Sequence, residues 1–350
     1  MYGRVPWNTL PEQVLLFPVC PPNVDKIELR QSPLRVFLKA ALDQAQQRIR
    51  APVDADDDPY SDFREMTTTT PQYQIRGMTR NEVDTAIEWA AAEGWNPGLH
   101  DATCFFAADP DGFLAGLLDD ELVATISVVK YGTSFGFLGL YIVKPTYRGR
   151  GYGLGLWNAG IAHLEQRTIG LDGVVAQQDN YRRSGFAFAY RNIRYQGTGQ
   201  AKTSQRGEIA PLSSVPFDDL NDYDRSVFLA DRSSFLKSWI SQPQSTAIGF
   251  LRNGRLAGYG VIRAARTGFK IGPLFADDAG CAEALFNGLV ARVPDDSGYY
   301  LDVPEMNPAA IALAERRRMT IVFETARMYT GRPPDVPMHR LFGVTTFELG

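Results

Sequence analysis

The stretch from Phe137 to Phe186 constrains this chain most, because in it a glycine-rich turn joins an apolar run of strand length to a helical repeat. Phe137-Leu138-Gly139-Leu140-Tyr141-Ile142-Val143 reads as a buried strand, Lys144-Pro145 breaks it, and Arg148-Gly149-Arg150-Gly151-Tyr152-Gly153 follows. Leu154, Trp157, Ile161 and Leu164 then recur at helical spacing. A strand that passes through a tight loop into a helix aims several backbone N–H groups, and the positive end of the helix dipole, at one point. Such a point binds anions. Glycines at 149, 151 and 153 let the main chain approach a phosphate, and Arg148 and Arg150 add charge.

Three loop families share this physics. The NTPase phosphate loop requires Lys-Ser or Lys-Thr after its last glycine, and neither is present. The dinucleotide fingerprint Gly-x-Gly-x-x-Gly is not matched at 149–155, and no βαβ unit with a closing acidic residue follows. The remaining pattern, Arg/Gln-x-x-Gly-x-Gly/Ala, is met by Arg148, Gly151 and Gly153. A second element lies one helix and one short strand later, in Asp179-Asn180-Tyr181-Arg182-Arg183-Ser184-Gly185-Phe186. On these two motifs, in this order, the chain resembles the GCN5-related N-acetyltransferase (GNAT) superfamily. The resemblance implies that the loop wraps the pyrophosphate of acetyl-CoA, used as co-substrate. It assigns cofactor contacts to Leu140, Tyr141, Ile142, Val143, Arg148, Gly149, Arg150, Gly151, Tyr152, Gly153 and Asn180. Tyr181, four residues before Gly185, corresponds to the tyrosine that protonates the leaving thiolate. A short strand at Gly173-Val174-Val175-Ala176 is expected to splay from 140–143 and admit pantetheine, whose amides pair with the exposed backbone.

Composition is that of an ordinary globular chain, 44% apolar and 22% charged. A net charge of -4 lacks the basic excess of a general nucleic-acid binder, so no nucleic-acid partner is expected. Cys20, Cys104 and Cys281, and likewise His100, His163 and His339, lie far apart, without disulfide or metal-ligand spacing, and no metal is expected. Val14-Leu15-Leu16-Phe17 is too short for a membrane span and lacks a secretory lead, so no membrane association and a cytoplasmic location are expected.

Residues 1–70 hold scattered prolines, Asp54 to Asp58 and Thr67 to Thr70, and are expected to form a partly disordered N-terminal extension. A first domain is expected over 71–198. Tyr73-Gln74-Ile75-Arg76 reads as a strand, and Thr79 as the N-cap of a helix over Asn81–Glu93 ended by Gly94. Family members cover the acceptor site with the connection after this helix, which makes Trp95, Asn96, His100 and Asp101 candidate substrate contacts; core-edge packing and turn chemistry explain them equally well. Two apolar runs, 113–117 and 122–129, flank Asp119-Asp120 as a hairpin would. Gly132-Thr133-Ser134-Phe135-Gly136 matches the nucleophile elbow of hydrolases, but it lies between two strands instead of ahead of a helix.

A polar linker is expected over 199–207, and from 208 to 350 the pattern repeats. Residues 246–251 and 256–262 flank Asn253-Gly254, a strong hairpin signal, and the runs at 269–275 and 300–303 stand where 137–143 and 173–176 stand in the first half. This half resembles the C-terminal acetyltransferase-like domain of two-domain superfamily members. Its loop reads Ala276-Asp277-Asp278-Ala279-Gly280-Cys281, with two carboxylates where a pyrophosphate would lie, so it is expected to be degenerate for CoA. Asp302, Glu305 and Asn307 are open between facing the acceptor and serving as loop and cap residues.

The expected fold class is therefore α+β, two tandem GNAT-like domains, each a mixed, mostly antiparallel sheet flanked by helices. The expected activity is N-acetyl transfer from acetyl-CoA to a small-molecule amine by direct attack in a ternary complex. The base is open between Asp101, His100 and a water relay through Glu121. A non-catalytic acyl-CoA sensor is the alternative.

Overall fold

The computed structural model describes residues 71–199 and 209–350, so the expected N-terminal extension with Cys20, and residues 200–207 of the expected linker, lie outside the described residues. Strand β1 (Tyr73–Gly77) leads into helix α1 (Arg80–Ala92). Thr79 accepts from the Glu82 N–H while the Glu82 carboxylate accepts from the Thr79 N–H, a reciprocal capping box that starts the helix where expected. Asp101, expected to end a loop, instead begins α2 (Asp101–Ala108). That helix is apolar on nearly every side, so no helical period announces it. β2 (Phe113–Leu118) and β3 (Glu121–Tyr131) form the expected hairpin, with Asp119 and Asp120 at φ 48° and 67° in its turn.

β4 (Phe135–Val143) completes the meander, and Ser134 falls in the turn between two strands, so the hydrolase pattern lacks its strand-to-helix context. The glycine turn leads to α3 (Tyr152–His163), then β5 (Thr168–Val174), α4 (Gln178–Arg183) and β6 (Phe186–Thr198). β5 starts earlier than the expected Gly173, and residues 175–177 are a 3-10 turn. On α3 the buried residues are Gly153, Leu156, Trp157 and Gly160, whereas Leu154, expected on that face, is exposed. A Cβ at Gly160 would lie 2.9 Å from Val128, so the helix sits close to the sheet through its small residues.

The second half repeats this order with β7 (Ile209–Pro211), α5 (Phe217–Phe228), α6 (Ser233–Ile240), β8 (Ser245–Arg252), β9 (Arg255–Ala264), β10 (Phe269–Ala276), α7 (Ala279–Val290), β11 (Gly298–Pro304), α8 (Pro308–Arg316) and β12 (Thr320–Thr330). A short β13 (Leu341–Gly343) follows. All strands join one 13-stranded sheet in the order β1-β2-β3-β4-β5-β12-β6-β11-β10-β9-β8-β7, with β13 against β10. Chain order alone would end the first half's sheet at β6 and the second's at β12. Instead β12 is inserted between β5 and β6, and β6 between β12 and β11, so each half lends its last long strand to the other. Residues 72–350 accordingly form one compact unit.

Helices cover both faces. One face of the first half packs Leu138, Leu156, Trp157, Leu171 and Tyr181 beneath α3 and α4. The opposite face packs Phe137, Leu140 and Ile142 with α1 and α2, with α5 and α6 of the second half, and with Val344, Phe347 and Leu349. No helix among the described residues is long and apolar enough to cross a membrane.

Candidate active site

β4 and β5 run parallel and pair only from Phe135–Leu138 to Thr168–Leu171. Beyond that point they part. A bulge causes it: Leu140 takes φ 45°, the register with β3 shifts between Thr125 and Ser127, and the Thr125 hydroxyl donates to the Leu140 carbonyl at 3.0 Å. Left-handed backbone at a leucine costs about 1–2 kcal/mol. The bulge turns Leu140 toward the α1–α2 face while Tyr141 and Val143 stay on the α3 face. Past Gly139, the side of β4 that faces β5 carries no ladder, leaving a slot in the sheet with backbone donors and acceptors along its wall.

The glycine turn lies at one end of the slot. Gly149 and Gly151 have φ 74° and 87°, and Gly151 caps α3 without any side-chain bond to the first-turn N–H groups, which carry no acidic neighbour. This is the environment an anion needs. Arg148 is engaged elsewhere: its Nε donates to the Val143 carbonyl at 2.8 Å and its Nη2 pairs with Glu93, so it braces the loop. Arg150 is exposed and lies over the Tyr147 ring at 5.6 Å. The Tyr152 carbonyl accepts from the Tyr73 hydroxyl at 2.8 Å, and Gly153 abuts the Tyr141 hydroxyl.

Tyr181 closes the other end. Its ring stacks on Trp157 with centroids 5.8 Å apart, and a Cβ at Gly173 of β5 would lie 2.2 Å from it. One edge of the ring therefore lies against the strand where the slot opens. Burial pushes its hydroxyl up to about 12, against a weaker downward pull from the Val174 backbone, so the group is protonated at neutral pH. Asn180 donates to Gln177 at 2.6 Å and accepts from Arg183, which shapes α4.

The opposite face of the central strands carries a row of buried polar side chains that motif reasoning missed. Asp172 on β5 accepts both Arg327 nitrogens at 2.8 and 2.6 Å and the Asn192 amide at 2.8 Å. Asp302 on β11 holds Arg194 of β6 in the same bidentate way, at 2.6 and 2.8 Å. Lys270 on β10 is 2% exposed; burial, with Arg194 beside it, pushes its ammonium down to about 8. The segment after β13 lies across this row: Glu348 is buried, its carbonyl accepts from Ser127 at 3.4 Å, and the Leu349 carbonyl accepts from Tyr131 at 2.9 Å. The alternation of polar residues at 190, 192 and 194 could have flagged β6, but only the exchange of strands reveals what they meet.

The expected substrate contacts scatter. Asp101 is fully buried and binds Arg263 of β9 through both oxygens, at 2.7 and 3.1 Å, and accepts from the Gly98 N–H. Burial disfavours its charge, yet Arg263 outweighs this and holds the carboxyl below the usual range. Asn96 bonds both ways with the Thr267 backbone, at 3.0 and 2.8 Å. Asn96 thus ties the first half to the β9–β10 turn and Asp101 ties it to β9, so the polar groups read as acceptor contacts are engaged within the chain. Trp95 is half-buried and its carbonyl accepts from Arg194, and His100 precedes α2. Glu121 is exposed and holds Lys144 and Tyr147, Glu305 pairs with Arg191, and Asn307 caps α8.

The second half has the same slot, but it is filled. β10 and β11 pair only over residues 269–271 and 299–301, and β13 lies in the gap beyond, antiparallel to β10. At the head of α7 the Asp278 carboxylate accepts from the Cys281 N–H at 2.9 Å and pairs with Arg252, so the position open in the first half is taken by a side chain. Burial raises the Cys104 thiol to about 11 and Cys281 to about 12. Among the described residues no group of three His, Cys, Asp or Glu is placed to hold a metal.

Comparison with known proteins agrees with this architecture. A profile described as acetyltransferase (GNAT) family matches residues 80–187, and one described as acetyltransferase (GNAT) domain matches residues 220–343. Holothin acyltransferase of Pseudoalteromonas sp. (strain SANK 73390) is 32% identical over 265 residues, covering 75% of this chain and 90% of the relative. The crystal structure of a candidate acetyltransferase from Pyrococcus horikoshii superposes with TM-score 0.68 at 21% identity, over 79% of this chain and 96% of that one. A tandem GNAT protein from the clavulanic acid biosynthesis pathway superposes with TM-score 0.53 at 12% identity, over 75% of this chain and 100% of that one. The chain belongs to the GNAT acetyltransferase family, with two such domains in tandem. It is an acyltransferase by that membership.

Proposed function

We propose that the protein is an N-acyltransferase that moves an acetyl group from acetyl-CoA to a small-molecule amine, by direct attack with both substrates bound, using the first half alone for the cofactor. The observation that carries this reading is the contrast between two equivalent slots, one open between a free helix N-terminus and a half-buried tyrosine, the other filled by β13. The backbone N–H groups of Gly149 to Gly153 would take the pyrophosphate, and β4 from Leu140 to Val143 would pair with pantetheine and orient the thioester. Tyr181 would give its proton to the departing thiolate. Holding amine and thioester in attack geometry supplies much of the rate. Holothin, the acceptor in the relative's name, is the first compound to try on this chain.

Calorimetry with acetyl-CoA on the wild type and on Gly151→Glu tests the cofactor half. Affinity in the micromolar range, about -8 kcal/mol, should vanish in the variant, whose carboxylate would sit at the anion site with φ 87°. Free-thiol release with holothin and a panel of primary amines tests the transfer. Binding without thiol release from any acceptor would discard the transferase reading and leave an acyl-CoA sensor.

A further inference from the structure

The polar row facing away from α3 contains carboxylates in unequal states. Asp101, Asp172 and Asp302 each hold an arginine through both oxygens. Glu348, 3% exposed, has an Oε2 with no hydrogen-bond partner. Across the row, Lys270 Nζ, Arg263 Nη1 and Asn192 Oδ1 are likewise buried and unpartnered. A buried carboxylate oxygen left without a donor costs about 1–3 kcal/mol or more, so an unpartnered oxygen in such a cluster needs an explanation, and a polar partner from outside the chain is one.

The backbone of Glu348 also lies against the point where the slot begins. Its carbonyl oxygen would lie 2.2 Å from a Cβ on Gly139, the last residue in register with β3 before the Leu140 bulge and the start of the slot. Tyr181 belongs to the α3 face of the sheet, and the segment holding Glu348 to the opposite face. The group that protonates a leaving sulfur and the group that deprotonates an attacking nitrogen are needed on opposite sides of one carbonyl. A narrow cavity of about 40 Å³ lies alongside the same segment, lined by Phe135, Tyr190, Arg327, Tyr329 and Thr345 among others.

We propose that Glu348 takes the proton from the acceptor amine, which approaches from the face of the sheet opposite α3. This rests on the acyltransferase reading above. As the C–N bond forms at the thioester carbon, an N–H proton passes to the Glu348 Oε2. The C–S bond then breaks, the thiolate takes the Tyr181 proton, and amide and free CoA leave. Glu348 and Tyr181 restore their protonation by exchange with water.

The test compares wild type, Glu348→Gln and Glu348→Asp, with holothin, benzylamine and hydroxylamine as acceptors, alongside calorimetry with acetyl-CoA and thermal melting. Glu348→Gln should lower kcat with the alkylamine by about 100- to 10,000-fold, while the affinity for acetyl-CoA stays within about twofold. The loss should be smaller with hydroxylamine, which is unprotonated at neutral pH, and Glu348→Asp should recover part of the rate. A kcat within about threefold of wild type, or a loss equal for all acceptors and matched by weaker acetyl-CoA binding and a lower melting temperature, overturns the assignment while sparing the acyltransferase reading. Absence of thiol release by the wild type with every acceptor overturns both.

Discussion

Gly173→Ala separates the position of Tyr181 from its chemistry. The added Cβ would stand 2.2 Å from the Tyr181 ring, where ordinary contact begins at 3.4 Å, so the ring must retreat by about 1 Å. It cannot do so freely, because Trp157 stacks on the same ring. Forcing a methyl into such packing costs about 1–3 kcal/mol. A misplacement of about 1 Å at a reacting group costs about 100-fold in rate. The expected result, read by free-thiol release at saturating acetyl-CoA and by melting in parallel, is a hundredfold fall in kcat with the melting temperature lowered by a few degrees and acetyl-CoA still bound, since the glycine turn is untouched. Tyr181→Phe keeps the ring and should lose rate without the drop in stability. If Gly173→Ala turns over at the wild-type rate, the hydroxyl's position does not matter and the proton-donor role fails.

Asp101→Asn leaves Arg263 buried with its charge uncompensated and should destabilise by about 3–5 kcal/mol, seen in urea unfolding. Because Arg263 holds that carboxyl below its unfolded value, its contribution is complete above about pH 4 and is lost as pH falls through the folded value, so the wild type should unfold in acid more steeply than the variant. The rate profile should show no alkaline fall near pH 10, the usual tyrosine value, because burial keeps Tyr181 protonated up to about 12. Calorimetry should find a single acetyl-CoA per chain, and Asp278→Ala should lower stability by about 1 kcal/mol without adding a second site.

The glycine turn and both hairpins were legible because each rests on short-range chemistry: positive φ at Gly149 and Gly151, at Asp119 and Asp120, and at Asn253 and Gly254. The exchange of β6 and β12 was not. Both are antiparallel strands with similar patterning, and which neighbour each finds depends on contacts more than a hundred residues apart, such as Arg191 with Glu305. The same distance hid the fate of Asn96 and Asp101. Their polar groups read as available in a loop, but partners on β9 and its turn, far along the chain, engage them. Residues 341–350 carry no helical or strand period, so neither β13 in the second slot nor Glu348 beside the first could be read from pattern.

That last segment couples the two halves, and Gly139→Ala isolates the coupling. β13 seals the second slot while the residues after it press on β4, so one piece of chain makes one site unavailable and furnishes the far wall of the other. A methyl at 139 would meet the Glu348 carbonyl oxygen at 2.2 Å, the Glu348 carbonyl carbon at 2.9 Å and its Cα at 3.0 Å, all backbone atoms that no rotamer change can remove. The segment must move away from the sheet, carrying the Glu348 side chain with it. Displacement by about 1 Å predicts a fall of about 100-fold in kcat, with acetyl-CoA affinity nearly unchanged because the glycine turn proposed to hold the pyrophosphate is untouched. Combining Gly139→Ala with Glu348→Gln then discriminates: if the glycine acts only by seating Glu348, the double variant is no slower than Glu348→Gln alone, and additive losses would show that Gly139 serves the slot directly.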